Sequence, residues 1–260
     1  MKFCFGTVCW NGYLERYVDM FVNNYITIYR KLIALGINYC DIADPKIVYN
    51  DETPGPITEN SIKKLEIATG KKLILTCDRH KYTVESIMYS MRNSLRKEFS
   101  KTYPLDEKVF FYFPIDDSVR PEIALELIRL SRATEPTACM FRFFVSEGAK
   151  KFTASTRPIT SYNDIYPGDW GGYCAYTIFN EEKCPLYPKI AIPNVAFYTE
   201  LYRAGYKQYG SKEICIDHLR HPDSHHFKYK DTEMSNNVRE YLTQQRSLLQ
   251  KEGYRWKKKF

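Results

Sequence analysis

The stretch that decides the fold is residues 108–122, KVFFYFPIDDSVRPE, in which an apolar run of strand length ends in two adjacent acids, Asp116 and Asp117. Such a run predicts a buried strand that delivers the two acids to the edge of a sheet, where α/β folds bind ligands. Two neighbouring carboxylates repel each other, so a site that keeps both ionised usually supplies a cation between them. Carboxylate oxygens are ligands that suit Mg²⁺ or Mn²⁺.

Helix capping is the simpler interpretation of the two acids. Asp is a favoured N-cap residue, and Pro121 suits the first turn of a following helix. The sequence leaves this choice open.

Strand and helix patterns alternate on both sides of this stretch. Strand patterns occupy residues 2–10, 46–49, 72–76, 138–145, 173–179 and 213–217. Helix patterns occupy residues 14–35, 61–69, 83–99, 121–133, 194–204 and 232–250. This alternation predicts an α/β fold with a mostly parallel central sheet, flanking helices and right-handed crossovers.

The bulk properties limit the class of protein. A chain of 260 residues is long enough for one sizeable α/β domain. No stretch approaches 18 uninterrupted apolar residues, and the opening MKFCFGTVCW predicts a strand, so we expect a soluble, cytoplasmic protein, in the host cytoplasm if a virus encodes it. The eight cysteines form no CxxC pair, which favours reduced thiols over disulfides. The net charge of +7 fits a polyanionic partner without choosing among nucleotides, nucleic acids and anionic surfaces.

Taken in order, these elements resemble the nucleotide-sugar-binding half of GT-A glycosyltransferases, most closely the family 2 type. The segment after the first strand, TVCWN, stands where these enzymes touch the nucleotide, and IVYNDET supplies Asp51 where a carboxylate contacts the base. FPIDDSVRPE resembles the aspartate motif of the family. The resemblance covers residues 2–135 and implies a GT-A (Rossmann-like) fold, with a helical, basic C-terminal extension in this chain.

The resemblance also implies roles for individual residues. It places Asp116 near the ribose, Asp117 on the metal ion, Mn²⁺ or Mg²⁺, and the pair Arg92-Asn93 near the donor diphosphate. The implied donor-binding residues are Thr7, Cys9, Trp10, Asn11, Asp51, Arg92 and Asp116.

In the same family a histidine after the last core strand often completes the metal site. His218 is the first choice here and His221 the second. Four of the five histidines fall within residues 218–226, so a separate zinc site and solvated surface histidines remain alternatives.

The expected chemistry is sugar transfer assisted by a metal ion at Asp117, which would neutralise the departing diphosphate. Inverting members of the family carry a carboxylate base at the start of the late helix, whereas residues 192–195 of this chain, IPNV, contain no acid. Asp169, in the segment PGDWGG, is the alternative base, although it also suits a turn. The stereochemistry of transfer therefore stays open.

We expect residues 1–230 to form the catalytic domain, with a nucleotide-sugar half at 1–135 and an acceptor half at 136–230, followed by a helix and basic tail at 231–260. The expected function is a metal-dependent transfer from a UDP-sugar to a hydroxyl acceptor, with a glycan favoured.

Three other functions compete with this expectation. The first is glycosylation of hydroxymethylated bases in viral DNA, with the tail RWKKKF contacting phosphates. The second is nucleotidyl transfer, which the absence of a glycine-rich basic loop after the first strand disfavours. The third is a non-catalytic nucleic-acid-binding protein of the same fold.

Overall fold

The computed structural model describes residues 1–10, 12–50, 53–80, 84–147, 150–153, 173–188 and 193–220, and residues 240, 244, 247 and 251, which are helical and exposed. Of the candidate functional residues, Asn11, Asp51, Asp169 and His221 lie outside these ranges, and only the backbone of His218 is described.

Nine strands of the described ranges form one sheet. They are β1 (Lys2–Cys9), β2 (Lys46–Tyr49), β3 (Ile74–Cys77), β4 (Lys108–Tyr112), β5 (Ser118–Val119), β6 (Thr137–Glu147), β7 (Lys150–Thr153), β8 (Cys174–Ile178) and β9 (Lys207–Arg220). The order across the sheet is β3-β2-β1-β4-β8-β6-β9-β5, and β7 pairs with β6. The helices are α1 (Tyr13–Ala34), α2 (Pro56–Thr69), α3 (Val84–Thr102), α4 (Ile123–Ser131) and α5 (Pro193–Arg203), with a short 3-10 helix at Tyr39–Asp41.

The first four strands in the sheet order are parallel, and β6 and β9 are parallel as well. The strand β8 pairs antiparallel with both β4 and β6, and so joins the two groups. The expectation of an α/β fold with flanking helices around a mostly parallel central sheet is confirmed. Among the described residues, no helix combines the length and the apolar character needed to cross a lipid bilayer.

The central strands are apolar along their whole length because helices cover both faces of the sheet. Every residue of β4 is buried. Alternate side chains enter two separate cores, so that Phe111 packs with residues of α1 on one face, whereas Phe110 and Tyr112 pack with residues of α3 on the other. A Cβ atom at Gly6 would lie 2.8 Å from Leu95 Cδ1, so this glycine lets α3 pack closely on β1.

Several elements differ from the sequence expectations. The strands β5 and β7 were not expected, and β9 is 14 residues long instead of the short strand predicted at 213–217. The helix α2 begins at Pro56, not at Ser61. All eight cysteines are free, as expected, and most of them are buried.

The early start of α2 has a clear cause in α1. The carboxylate of Glu15 accepts hydrogen bonds from the backbone N–H groups of Gly55, Ile57 and Thr58, at 3.0, 2.6 and 3.2 Å, and from the Thr58 hydroxyl at 2.6 Å. It therefore caps the N-terminus of α2 from a different helix, a position where the helix dipole also favours a negative charge. Burial raises the pKa of Glu15, but these hydrogen bonds outweigh it and lower the pKa below its ordinary value.

We expect Glu15→Gln to lower the free energy of unfolding by about 1 kcal/mol at neutral pH, because the amide replaces a charge-assisted acceptor. Urea denaturation measures this loss. Glu66→Gln is the control, because Glu66 is an exposed glutamate of α2, the helix that Glu15 caps. Because folding lowers the pKa of Glu15, its contribution is complete above the ordinary carboxyl pKa of about 4.3. It disappears as the pH falls through the lower folded-state pKa. If the difference in unfolding free energy between wild type and Glu15→Gln stayed the same in acid, this assignment would be wrong.

Candidate active site

The carboxyl ends of β1, β2, β3 and β4 meet at one edge of the sheet because these strands are parallel. Polar or aromatic residues follow each of them: Trp10, Asn50, Asp78, and the pair Asp116 and Asp117. This edge is where ligands of open α/β sheets bind.

The two acids have different environments. Asp117 is 0% exposed, whereas Asp116 is half-buried. The Tyr173 hydroxyl donates a hydrogen bond to Asp117 Oδ2. The N-cap of α4 is Glu122, and no side chain caps this helix by a hydrogen bond, so the helix-capping interpretation of the two acids is wrong.

The backbone around Asp117 is held by a buried amide of α1. Asn24 Nδ2 donates to the carbonyl oxygen of Asp117 at 2.6 Å, and Asn24 Oδ1 accepts from the N–H of Val119 at 3.0 Å. Asn24 therefore fixes the turn that leads from β4 to β5.

Tyr173 remains a hydrogen-bond donor at neutral pH. Burial raises its pKa well above the ordinary value, and the neighbouring Asp117 carboxylate raises it further. Tyr173 is only 4% exposed, so its ring has almost no surface on which an acceptor could stack. Its ring belongs to the core on the α1 face of the sheet.

Arg92 of α3 lies on the other face of the sheet and is 2% exposed. Its guanidinium carbon lies 4.1 Å from the ring centroid of Tyr112 and 5.3 Å from that of Tyr187. Burial raises the pKa of Tyr112, the charge and hydrogen bond of Arg92 lower it, and the nearby Asp116 and Asp117 raise it again. Arg92 is thus a buried cation whose charge acts on Tyr112 in the opposite direction to the charges of the acidic pair.

Asn93, expected beside the donor diphosphate, binds the backbone of a distant segment instead. Its Nδ2 donates to the carbonyl oxygen of Tyr187 at 3.0 Å, and its Oδ1 accepts from the N–H of Tyr187 at 2.9 Å. One turn further along α3, Arg96 donates to the carbonyl oxygen of Cys184 at 3.1 Å and pairs with Glu181 at 2.7 Å. The helix α3 therefore anchors residues 181–187.

Sequence reasoning missed a polar group after β3. Asp78 accepts hydrogen bonds from the hydroxyl of Ser94 at 3.2 Å and from the N–H of His80 at 3.2 Å, and it contacts His80 Nδ1 at 2.6 Å. Asn50 Nδ2 donates to the carbonyl oxygens of Asp78 and His80. Asp78, His80 and Ser94 line an open cavity of about 440 Å³. The sequence signal that could have identified this group is the run of polar residues at 78–80, which follows the strand predicted at 72–76.

Three of the candidate donor-binding residues, Thr7, Cys9 and Trp10, lie on β1 or directly after it, and their environments differ. Thr7 and Cys9 are buried on the α1 face of the sheet, so their side chains belong to the core, and any contact with a nucleotide there would come from the backbone. The Thr7 hydroxyl has no hydrogen-bond partner within the described part of the chain. Trp10 is partly exposed and packs against the core on the α3 face.

The sheet brings the backbone of His218 close to the acids. Asp217 of β9 lies opposite Ser118, the residue after Asp117, and His218 follows Asp217 directly. Arg120 fixes this register, because its Nε and Nη2 bind Asp217 at 3.0 and 2.6 Å. The long strand β9 therefore returns to the acidic pair at the point where the histidine was expected.

The donor set in the described ranges fits a partly protein-bound cation. No group of three or more His, Cys, Asp or Glu side chains that could hold a metal ion occurs there. Two adjacent carboxylates remain, and Mg²⁺-type sites are often built from one or two carboxylates completed by water and substrate phosphates. The acids therefore fit a metal that is shared with a phosphorylated ligand.

Comparison with known proteins gives a consistent result for the fold. No protein-family model matches the chain, and no curated protein matches it. S. aureus TarS 1–349 in complex with UDP-GlcNAc matches with a TM-score of 0.61 and 11% identity, over 94% of this chain and 66% of that one. Its complex with UDP gives a TM-score of 0.59 and 10% identity, over 85% and 61%.

The mannosyltransferase PcManGT from Pyrobaculum calidifontis, in complex with GDP-Man and Mn²⁺, matches with a TM-score of 0.52 and 9% identity, over 87% of this chain and 58% of that one. Against the TarS structures, the chain spans from 37% to 66% of their length. The chain therefore has the GT-A-like fold that its sequence predicts.

We expect Asn93→Ala to lower the free energy of unfolding by about 1–3 kcal/mol, because two backbone groups of Tyr187 lose their partners. The affinity for nucleotides should stay close to that of the wild type, since this amide is engaged away from the acidic pair. Denaturation and nucleotide titration measure the two effects, and Asn60→Ala, an exposed asparagine of α2, is the control. A large loss of nucleotide affinity with unchanged stability would instead support the role beside the diphosphate.

Proposed function

We propose that this chain is a metal-dependent glycosyltransferase that moves a sugar from a nucleotide diphosphate sugar, with UDP-sugars favoured, to a hydroxyl acceptor. The observation that carries the proposal is the pair Asp116 and Asp117 at the carboxyl end of β4, in a sheet that resembles proteins with bound UDP-GlcNAc or GDP-Man. The neighbour with GDP-Man also holds Mn²⁺, which supports Mn²⁺ or Mg²⁺ as the cation.

The proposed roles follow the different exposure of the two acids. Asp117, fixed on both its side chain and its backbone, is the metal ligand, and Asp116, half-buried, faces the ribose. His218 is the proposed second protein ligand, because β9 brings its backbone beside the turn after Asp117. The other proposed donor-binding residues are Trp10, Asn11, Asp51, Arg92 and, through their backbone, Thr7 and Cys9.

The bound cation would neutralise the negative charge that develops on the departing diphosphate. The chain contributes to the same purpose through Arg92, a buried guanidinium that is always charged and that lies over Tyr112 beside the acids. The base that activates the acceptor hydroxyl is proposed to be Asp169. The first turn of α5 contains no acid, so a base from that helix has no support.

The acceptor is proposed to be a glycan hydroxyl, bound by the half of the domain at residues 136–230. The strand β8 and the segment 181–187 belong to this half and lie against β4 and α3. Donor and acceptor groups would therefore meet at the end of β4, where the nucleotide-sugar half at residues 1–135 supplies the acids.

Thermal unfolding with UDP, GDP and their common sugar conjugates, each with and without Mn²⁺, tests this proposal. We expect a rise in melting temperature that requires both Mn²⁺ and one class of nucleotide. A ligand at 100 times its dissociation constant should stabilise the fold by about 2.7 kcal/mol. Release of free sugar from the stabilising conjugate then reports turnover in the absence of an acceptor.

Variants of the acids identify the site in the same assay. Asp117→Asn should abolish the part of the shift that depends on Mn²⁺, and Asp116→Asn should weaken the shift with nucleotide. Asp106→Asn is the matched control, because Asp106 is an exposed acid just before the opposite end of β4. The absence of a shift with every nucleotide, with or without Mn²⁺, would refute the proposed function.

A further inference from the structure

Tyr173 is held in a defined position before it reaches Asp117. Its carbonyl oxygen accepts a hydrogen bond from the N–H of Phe141 at 2.9 Å. The next residue, Cys174, pairs with Tyr112 at the end of β4 and with Met140 of β6. The backbone of Tyr173 is thus fixed by the sheet on both sides, and its hydroxyl ends at Asp117 Oδ2.

The Asp117 carboxylate has a specific need for such a donor. It is fully buried, and a buried carboxylate without hydrogen-bond donors is strongly destabilised. A neutral hydroxyl satisfies one oxygen and leaves the negative charge in place, whereas a lysine or arginine at this position would neutralise it. The negative charge that remains on the Asp117 carboxylate is what attracts a divalent cation to it.

Hydrogen bonds to metal ligands commonly fix the ligand's orientation, and their removal typically costs about 10- to 100-fold in metal affinity or activity. The two contacts at Asp117 divide this task. Tyr173 orients the carboxylate, and Asn24 fixes the backbone that carries it. Both contacts come from buried residues that are distant from Asp117 in sequence.

We infer that Tyr173 is a positioning residue for the metal-binding carboxylate, and that Asn24 supports it from α1. The inference rests on the proposed function, since it assumes that Asp117 binds the cation. It adds a residue outside the aspartate motif whose single hydroxyl sets the affinity for that cation.

Direct titration of Mn²⁺ tests this role without any turnover. The unbound Mn²⁺ is followed by electron paramagnetic resonance in the presence of a fixed concentration of UDP, for wild type, Tyr173→Phe and Tyr206→Phe. Tyr206 is the matched control because it is also a buried tyrosine bonded to the β8 region, with its hydroxyl donating to the carbonyl oxygen of Thr177 at 3.0 Å.

The expected result is a half-saturating Mn²⁺ concentration about 10- to 100-fold higher for Tyr173→Phe than for wild type. Tyr206→Phe should bind Mn²⁺ like the wild type. Without metal, the two variants should lose similar thermal stability, since each loses one buried hydrogen bond. At the same Mn²⁺ concentration, the metal should stabilise Tyr173→Phe less than it stabilises Tyr206→Phe, a difference that a merely structural defect would not produce.

The outcomes separate this inference from the proposed function. Equal Mn²⁺ affinity in wild type and Tyr173→Phe overturns the inference and leaves the proposed function standing. Absence of Mn²⁺ binding to the wild type with UDP and, in repeated titrations, with GDP and the sugar conjugates of both overturns both. If Tyr173→Phe does not fold, Asn24→Ala decides the matter, because it removes the contact to the Asp117 carbonyl oxygen and should weaken Mn²⁺ binding in the same direction; unchanged affinity there overturns the inference.

Discussion

A fully buried carboxylate needs hydrogen-bond donors, and Asp117 is held on its side chain and on its backbone by two distant parts of the chain. The hydroxyl of Tyr173, the residue before β8, donates to its carboxylate, and the amide of Asn24, in the middle of α1, donates to its backbone carbonyl oxygen. These contacts require β8 to lie beside β4 and α1 to lie over the turn after it. The position of the acidic pair is therefore a property of the whole sheet and not of the motif alone.

The helix α3 connects the two halves of the fold from the opposite face. Its Met91, Leu95 and Phe99 fill the core below β1 and β4. Its polar residues Asn93 and Arg96 bind the backbone of the segment at 181–187. Arg92 lies over the rings of both Tyr112 and Tyr187, so the same helix also places a buried cation between β4 and this segment.

The parts of the fold that the sequence predicts are those with a strong local pattern. The buried run of β4 and the apolar stripe of α1 are clear, because burial on both faces or on one helical face leaves a regular pattern of apolar residues. The order of these elements was enough to predict a GT-A fold and the location of the acidic pair at the sheet edge.

The parts that the sequence does not predict depend on contacts between distant residues. The two residues of β5 form a strand only because β9 pairs with them. The start of α2 depends on Glu15, which is about forty residues earlier in the chain. Asn93 is equally suited to bind a phosphate or a peptide group, and only the folded chain places Tyr187 beside it.

The small number of metal ligands has a thermodynamic consequence. The described part of the chain holds no cluster of three ligand side chains, so a cation at Asp117 would complete its coordination with the proposed ligand His218, with water and with oxygens of the donor diphosphate. Metal and nucleotide would then share contacts, and each must raise the affinity for the other by the same factor. A cation that depends on the nucleotide for part of its coordination would then be released together with the nucleoside diphosphate after transfer.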